Sequence, residues 1–367
     1  MTEASVVETG DGVSEAGETF PLPYTLAVDA MGGDNAPDIV LAGLEIAAIR
    51  HPESRMLLVG DEAVLKEGLK RFPKAASICT IRHTPDSIPM DMKPTAALRV
   101  RHSSMRLCME AVASGEACGV VSAGNSGAML ALAKIIVKVL PGISRPAMTA
   151  VQPSARGDVV MLDLGANIAC DARNLVEFAI MGEAFAQAAL SLESPTIGLL
   201  NVGAEELKGD ERLRQAAEKL RDSVLSDRFV GFVEGHDITG GRTDVVVTDG
   251  FTGNVALKTG EGALKLAFGL LKNVFQTNFV TKLGYLLVKP GLERMREWID
   301  PRRYNGAVFV GLNGVVVKSH GGADAEGFAS AVDVAVDAVA NDLNAKIRHR
   351  LEQLGMLQPA VGTKGSE

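Results

Sequence analysis

No two of the four cysteines, Cys79, Cys108, Cys118 and Cys170, stand at C-x-x-C spacing, and the six histidines form no ligand-spaced cluster with them. A disulfide scaffold and a structural zinc are therefore not expected, and a reducing cytoplasm is. Aromatic residues make up only 4% of the chain, too few for base-stacking platforms, and a net charge of -8 leaves no basic footprint for a polyanion. Nucleic acid is excluded as the main partner. No apolar run is long enough to span a bilayer. The stretch from Met1 to Phe20 holds five acidic side chains, no basic one and no apolar core. That excludes a secretory signal or transit peptide and predicts a disordered acidic extension over 1–23. G-x-G-x-x-G is missing after the first strand and G-x-x-x-x-G-K-[ST] is missing throughout, so dinucleotide and Walker-type sites lose their usual support. No cofactor and no metal are expected.

What the chain does have is one repeated unit, in a length of 367 residues with 47% hydrophobic side chains, enough for a large core without staples. The most informative copy is DVVVTDGFTGNVALKTGEG, Asp244 to Gly262. A β-branched run stops at Asp249-Gly250, Gly250 and Gly253 break the chain, and a helical pattern starts near Asn254. Amides at such a helix start lack intrahelical partners and carry the positive end of the dipole, which suits a phosphate or an oxyanion. Lys258, one turn on, adds a full charge. An ordinary strand-to-helix turn with a solvated lysine fits the stretch equally.

The unit recurs along the chain. An apolar run ends on Asp29, then Gly32 and Gly33 turn the chain, Asp34 or Asn35 caps, and Pro37 opens a helix. Arg55 to Gly60 and Ser77 to His83 read as further strands, with Lys93 and Arg99 at the mouth of the following helix. In GVVSAGNSG, Ser122, Asn125 and Ser126 offer donors while Gly124 and Gly127 let the backbone bend around an anion. Its near match to the nucleophile elbow fails at Ala128, so a serine acyl-enzyme is not expected. VVMLDLGAN places Asp163 inside an apolar strand, where a carboxylate must find partners. Gly165 and Asn167 follow. A further strand ends at Asn201 and Gly203, with Glu205, Glu206 and Lys208 on a loop that reads equally as hydrated ion pairs. In parallel α/β sheets ligands bind at the carboxyl ends of strands, so these turns are expected on that edge, where they can share a pocket.

Beyond Lys258 the character changes. From Lys258 to Arg303 there are nine Lys or Arg against four Asp or Glu, opposite to the chain as a whole. Leu264, Phe268, Leu271 and Phe275 fall on one helical arc, with Lys258, Lys265 and Lys272 away from its centre. A second segment repeats the design with Lys282 and Lys289 and is expected to stop at Pro290-Gly291. The two form a protruding helical hairpin over about 255–300, whose apolar faces suit a dimer interface, an acyl chain or an anionic membrane. The last portion predicts a strand or hairpin turning at Asn313-Gly314, then Lys318 and His320 before a Gly-Gly turn and a long helix to about Arg350. His320 reads equally as an acid catalyst and as a structural hydrogen-bonding group.

Six blocks, AVDAMGGDNAP, SAGNSGA, LDLGAN, NVGAEELKG, DGFTGNVALKTGEG and VKSHG, together resemble the bacterial acyl-ACP:phosphate acyltransferase family, PlsX, from about Leu26 to about Arg350. The chain departs from that pattern in its acidic start and in Ser126, where the family usually has threonine. The resemblance implies a homodimeric enzyme that moves a long-chain fatty acyl group from acyl carrier protein to inorganic phosphate, a substrate and not a cofactor. It implies a three-layer α/β/α sandwich with a mostly parallel sheet, similar to phosphotransacetylase and isocitrate dehydrogenase-like folds. Peripheral membrane contact at the inner face is implied too, with a link to a membrane glycerol-3-phosphate acyltransferase that uses the acyl phosphate. Phosphate dianion is itself a nucleophile, so amide-rich turns without a triad suit this chemistry.

The expected assignments follow from both readings. Asn254, Lys258, Lys208 and His320 are the catalytic candidates. Gly32, Gly33, Ser122, Gly124, Asn125, Ser126, Gly127, Asn167 and Gly253 are the phosphate or oxyanion candidates. Lys265, Phe268, Lys272, Phe275 and Lys282 would dock the acyl chain or the acidic carrier protein. One unit is expected over 24–350, with a flexible tail over 351–367. The alternatives are a phosphotransacetylase-like enzyme using acyl-CoA and a non-enzymatic lipid-binding scaffold.

Overall fold

The computed structural model describes residues 24–357. The expected acidic extension and the end of the expected tail, 358–367, lie outside the described residues. Among the described residues, eleven strands form one sheet: β1 (Thr25–Asp29), β2 (Arg55–Gly60), β3 (Cys79–His83), β4 (Gly119–Ser122), β5 (Ala147–Ser154), β6 (Gly157–Leu162), β7 (Ile197–Leu200), β8 (Phe229–Val233), β9 (Val245–Val247), β10 (Ala307–Val310) and β11 (Val315–Lys318). The helices are α1 (Asp38–Arg50), α2 (Glu62–Leu69), α3 (Pro73–Ile78), α4 (Pro94–Ala97), α5 (Ser104–Ala113), α6 (Ser126–Ile136), α7 (Ala172–Ala189), α8 (Glu211–Arg221), α9 (Gly235–Gly240), α10 (Gly250–Gln276), α11 (Phe279–Trp298), α12 (Ala325–Ala340) and α13 (Leu343–Gln353).

Alternation along the strands explains the layering. In β1, Leu26 and Val28 face the core under α1, α7 and α12, while Ala27 faces the core under α5 and α6. A third apolar cluster joins Val159, Met161 and Val246 of the sheet to Ala256 and Leu257 of α10. Both faces of the sheet are thus covered, giving the three-layer α/β/α arrangement.

The strand order is β3-β2-β1-β4-β11-β10-β5-β6-β9-β7-β8. The first five run parallel, β10 is antiparallel to β11 and to β5, and β5 is antiparallel to β6. Three reversals leave β6, β9, β7 and β8, parallel among themselves, running opposite to the first block. The turns after β1, β4 and β11 therefore leave one side of the sheet and those after β6, β7 and β9 the other. The expectation that they share one edge is corrected: the β10 hairpin and the β5–β6 pair reverse the direction.

Four boundaries also differ from expectation. The helix after β9 starts at Gly250, not near Asn254, because the Asp249 side chain caps it by accepting from Thr252 N at 2.8 Å. The arm's second helix runs through Pro290 to Trp298. Proline forfeits only its bond to the Leu286 carbonyl, on a residue exposed enough for water to take that carbonyl. The expected single C-terminal helix is two, α12 and α13, because Asp342 at the junction takes a left-handed φ of 48°. Leu351 is buried, so packed chain extends past the expected boundary at 350.

The α10–α11 pair is an arm beyond the body of the fold. Among the described residues none of α11 is buried, and only Gly250 and Gly253 of α10 are. A Cβ at Gly269 of α10 would meet nothing within 4 Å. Gly269→Ala is thus expected to stabilise the arm by about 0.5–1 kcal/mol, measurable as slower amide hydrogen exchange in α10 with unchanged exchange in the sheet. Among the described residues no helix is long and apolar enough to cross a membrane.

Candidate active site

β1, β4 and β11 are neighbours and end in one row, Asp29 beside Ser122 beside Lys318. The three turns that follow are stitched together. Asp34 N donates to Gly321 O at 2.9 Å, and Ser319 N donates to Ser122 O at 2.9 Å. The glycines are demanded by closeness: a Cβ on Gly32 would lie 2.5 Å from Asp29 Oδ2 and 2.8 Å from Gly124 N. Gly33, at φ 109°, sits against Ala123 and the Gly321 carbonyl. A small cleft between Gly32, Gly33, Ala123 and Gly321 opens beside His320. We call this group of turns the cradle.

Several expected anion ligands turn out to be its framework. Ser122 donates to Asp29 Oδ2 at 2.6 Å and accepts from Gly124 N at 3.0 Å, fully buried. Asn125 caps α6 by accepting from Ala128 N, and its Nδ2 donates to the carbonyls of Met90 and Met92 at 2.7 and 2.9 Å. Neither side chain has a donor left for a ligand. Gly127 packs against Pro94, where a Cβ would lie 2.9 Å from the ring. Ser126, by contrast, is exposed at the start of α6, beside the first amides of that helix.

His320 is exposed at the third turn, and its position is fixed on both sides. Its N–H donates to Asn305 Oδ1 at 2.9 Å, and its Nδ1 accepts from Gly322 N at 3.1 Å. Nδ1 therefore holds the lone pair, which places the neutral ring's proton on Nε2. Asn305 in turn donates to Ser319 Oγ at 2.8 Å and to Gly327 O at 2.6 Å.

From His320 and Asn305 a groove of about 1260 Å³ runs outward along the arm. All five docking candidates, Lys265, Phe268, Lys272, Phe275 and Lys282, line it. Phe275 packs at a tilt on Tyr285 with ring centroids 5.4 Å apart, and Leu271 and Leu292 extend the apolar wall. The groove has an apolar bed, lysines along it and the cradle's histidine at its inner end.

The remaining candidates lie elsewhere. Between β4 and β6 stand three strands, so at about 4.8 Å per step the two lie roughly 19 Å apart across the sheet, and because they run in opposite directions they end on opposite edges. Asn167 and Lys208 follow β6 and β7, and Gly253, Asn254 and Lys258 stand in the first turns of α10 after β9, a strand that ends on the edge opposite Ser126. Asp163 organises that second group. Its Oδ1 accepts from Met148 N, Gly165 N and Ala166 N, and its Oδ2 accepts from Asn167 N at 2.6 Å and from Asn167 Nδ2 at 2.8 Å. Burial raises the Asp163 carboxyl above its ordinary value, and these hydrogen bonds pull it back. Asn167 also donates to Pro146 O, so its amide is spent on structure.

A Cβ at Gly253 would lie 2.0 Å from Asp163 O, which makes this glycine a packing contact for α10. Gly250 N donates to Asn167 O and Thr252 N to Asp249, so the start of α10 has used most of the amides expected to hold an anion. Lys208 pairs with Glu205 at 3.2 Å on an exposed loop. Asn254 lies next to Gly165, and Lys258 is exposed.

Two residues of the cradle were not singled out from the sequence. Asp29 is 1% exposed and accepts from Ser104 Oγ and Ser122 Oγ at 2.6 Å each; its carboxyl is raised by burial against these bonds. Lys318, 8% exposed, donates to the carbonyls of Ala123 and Ser319. The available signal was a charge of opposite sign closing each of two apolar runs. Only the sheet register brings the two together. Among the described residues no cluster of His, Cys, Asp or Glu is placed to hold a metal ion.

A family model described as fatty acid synthesis protein matches residues 24–346. A protein named phosphate acyltransferase from Gluconobacter oxydans (strain 621H) is 78% identical over 359 residues, covering 98% of this chain and 96% of its own. One of the same name from Gluconacetobacter diazotrophicus is 73% identical over 348 residues, covering 94% and 93%. Among solved structures, a phosphotransacetylase from Streptococcus pyogenes superposes with a TM-score of 0.60 at 18% identity, over 86% of this chain and 94% of that one. The EutD phosphotransacetylase from Staphylococcus aureus gives 0.56 at 15%, over the same shares. These two likenesses are of fold.

Proposed function

The chain belongs to the fatty acid synthesis protein family and is a phosphate acyltransferase, and from that premise we propose that it moves a long-chain fatty acyl group from acyl carrier protein to inorganic phosphate. The observation that carries this reading is the continuity of the groove with the cradle. A lysine-edged apolar channel of about 1260 Å³ ends at His320, beside three glycine-rich turns. An acyl chain suits the channel's Leu271 and Phe275, and an acidic carrier suits its lysines. The open amides of the turns and the exposed Ser126 hydroxyl suit phosphate.

The reaction then needs little covalent help. A phosphate oxygen adds to the thioester carbonyl, the carbonyl oxygen becomes an oxyanion, and its collapse breaks the carbon–sulfur bond. The thiolate leaves within reach of the groove's His320, whose Nε2–H donates a hydrogen bond to it, and it takes up the proton that hydrogen phosphate gives up on becoming acyl phosphate. The products are acyl phosphate and free carrier protein. We assign phosphate and oxyanion to Gly32, Gly33, Ser126 and Gly127, with Ser122, Gly124 and Asn125 holding the turns in shape. Acyl phosphate is a reactive acylating agent, suited to a membrane glycerol-3-phosphate acyltransferase and so to phosphatidic acid synthesis.

The exposed Phe279, Val280, Leu286 and Leu287 of the arm support contact with the inner membrane face or with a second copy in a homodimer. Lys265→Glu combined with Lys272→Glu is expected to raise KM for the carrier-linked donor roughly tenfold at low salt, and less at high salt. Steady-state kinetics with long-chain acyl carrier protein and with acetyl-CoA test the reading. Turnover with the carrier donor, phosphate-dependent and far above that with acetyl-CoA, is expected. Preference for acetyl-CoA would favour a phosphotransacetylase instead, and turnover with neither a lipid-binding scaffold.

A further inference from the structure

The apolar runs of β1 and β11 close on opposite charges, and the register sets Asp29 and Lys318 on either side of Ser122. A lysine with 8% exposure is rare and needs an answering charge or carbonyls. Lys318 has both. Its Nζ donates to Ala123 O at 3.2 Å and to Ser319 O, the carbonyls that lead into the second and third turns. Asp29 lies directly under Gly32, within 2.5 Å of where a Cβ would stand. A carboxylate left uncompensated there would oppose a phosphate dianion above it.

We propose that Lys318 is the positioning residue for phosphate: its buried ammonium offsets the Asp29 carboxylate beneath the cradle and holds the carbonyls of Ala123 and Ser319 inward, away from the anion. This rests on the reading that phosphate occupies the cradle. The charges facing Lys318 are Asp29 on β1 and Asp34 on the turn after it. The other titratable groups around the site are His320 and Asp324 after β11, and Cys108 on α5, whose thiol burial and Asp29 push well above its ordinary value. His320 is the other group here that can carry positive charge, and it sits at the exposed rim.

Burial pulls Lys318 down to about 8, against Asp29 and Asp34, which raise it. The ammonium is therefore lost as pH rises through about 8, while phosphate remains a dianion, and phosphate binding weakens in that window. Folding stability moves the other way. From about 8 up to the ordinary lysine value of 10.5 the unfolded chain keeps a proton that the folded one has released, so this group's contribution to stability rises with pH. Weaker phosphate binding there is not a sign of unfolding from this group.

The test is KM for phosphate against KM for the acyl donor, from about pH 7 to about pH 9.5, in the wild type, Lys318→Met and Lys318→Arg. The wild type is expected to show an alkaline rise in phosphate KM alone. Lys318→Met should start roughly tenfold higher and show no such rise, and Lys318→Arg should stay low across the range, because arginine keeps its charge. An unchanged phosphate KM in Lys318→Met, or an alkaline rise that persists in Lys318→Arg, overturns the proposal. If Lys318→Met does not fold, the wild type and Lys318→Arg decide by the same criterion. A flat wild-type profile overturns it whatever the variants do. A wild type with no phosphate-dependent acyl transfer at any pH instead contradicts the functional reading on which it rests.

Discussion

Asp163→Ala is expected to cost about 3–5 kcal/mol, the largest stability loss of any single substitution considered. Four backbone amides and the Asn167 carboxamide converge on this carboxylate, which is fully buried at the end of β6. Alanine leaves all five donors without their acceptor in a site that water does not reach. The damage spreads, because Asn167 O receives Gly250 N and so anchors the first turn of α10. Asp163→Asn keeps the shape and one oxygen but points an amide at donors, and should lose most of the same stability. Chemical denaturation with the slope unchanged measures the cost. A loss below about 1 kcal/mol for Asp163→Ala would mean that the donors find other partners.

Gly32→Val is expected to lower kcat/KM for phosphate by about a hundredfold or more while leaving KM for the acyl donor near its wild-type value. The atoms that meet the new side chain are Asp29 Oδ2, itself held by Ser122, and the backbone nitrogen of Gly124. Neither is the free end of a flexible side chain, so the turns must separate, and the cradle loses its shape. Asn254→Ala is the control. Asn254 lies by Gly165, beyond three intervening strands, and its loss should leave phosphate KM unchanged. Equal losses for both substitutions would place phosphate at the other group of turns.

The strand–turn–helix units were legible because apolar runs, glycine turns and caps are local. The arm was legible for the same reason, in its helical arcs of Phe268, Leu271 and Phe275 edged by lysine. What the sequence did not reveal was direction. Whether the β6 turn opens beside the β4 turn depends on the β10–β11 hairpin and the β5–β6 pair, which insert between them three antiparallel steps. Pairing across the sheet is non-local, so Asn125 and Asn167 looked alike as amide-bearing turn residues although they stand on separate turns. Their amides were also already committed, to Met90 and Met92 in one case and to Asp163 and Pro146 in the other. Lys318 was hidden for the converse reason. It reads as the polar end of a strand until the register sets it beside Ser122 and Asp29.

The most direct test of the central claim is acyl phosphate formation itself. Purified protein is incubated with a palmitoyl-loaded acyl carrier protein, with and without inorganic phosphate, and the product is trapped with hydroxylamine as palmitoyl hydroxamate alongside free carrier thiol. The account predicts hydroxamate and thiol in equal amounts, both saturating with phosphate and both largely lost in Gly32→Val. Thiol release that ignores phosphate, or undiminished hydroxamate from the folded Gly32→Val protein, would contradict it.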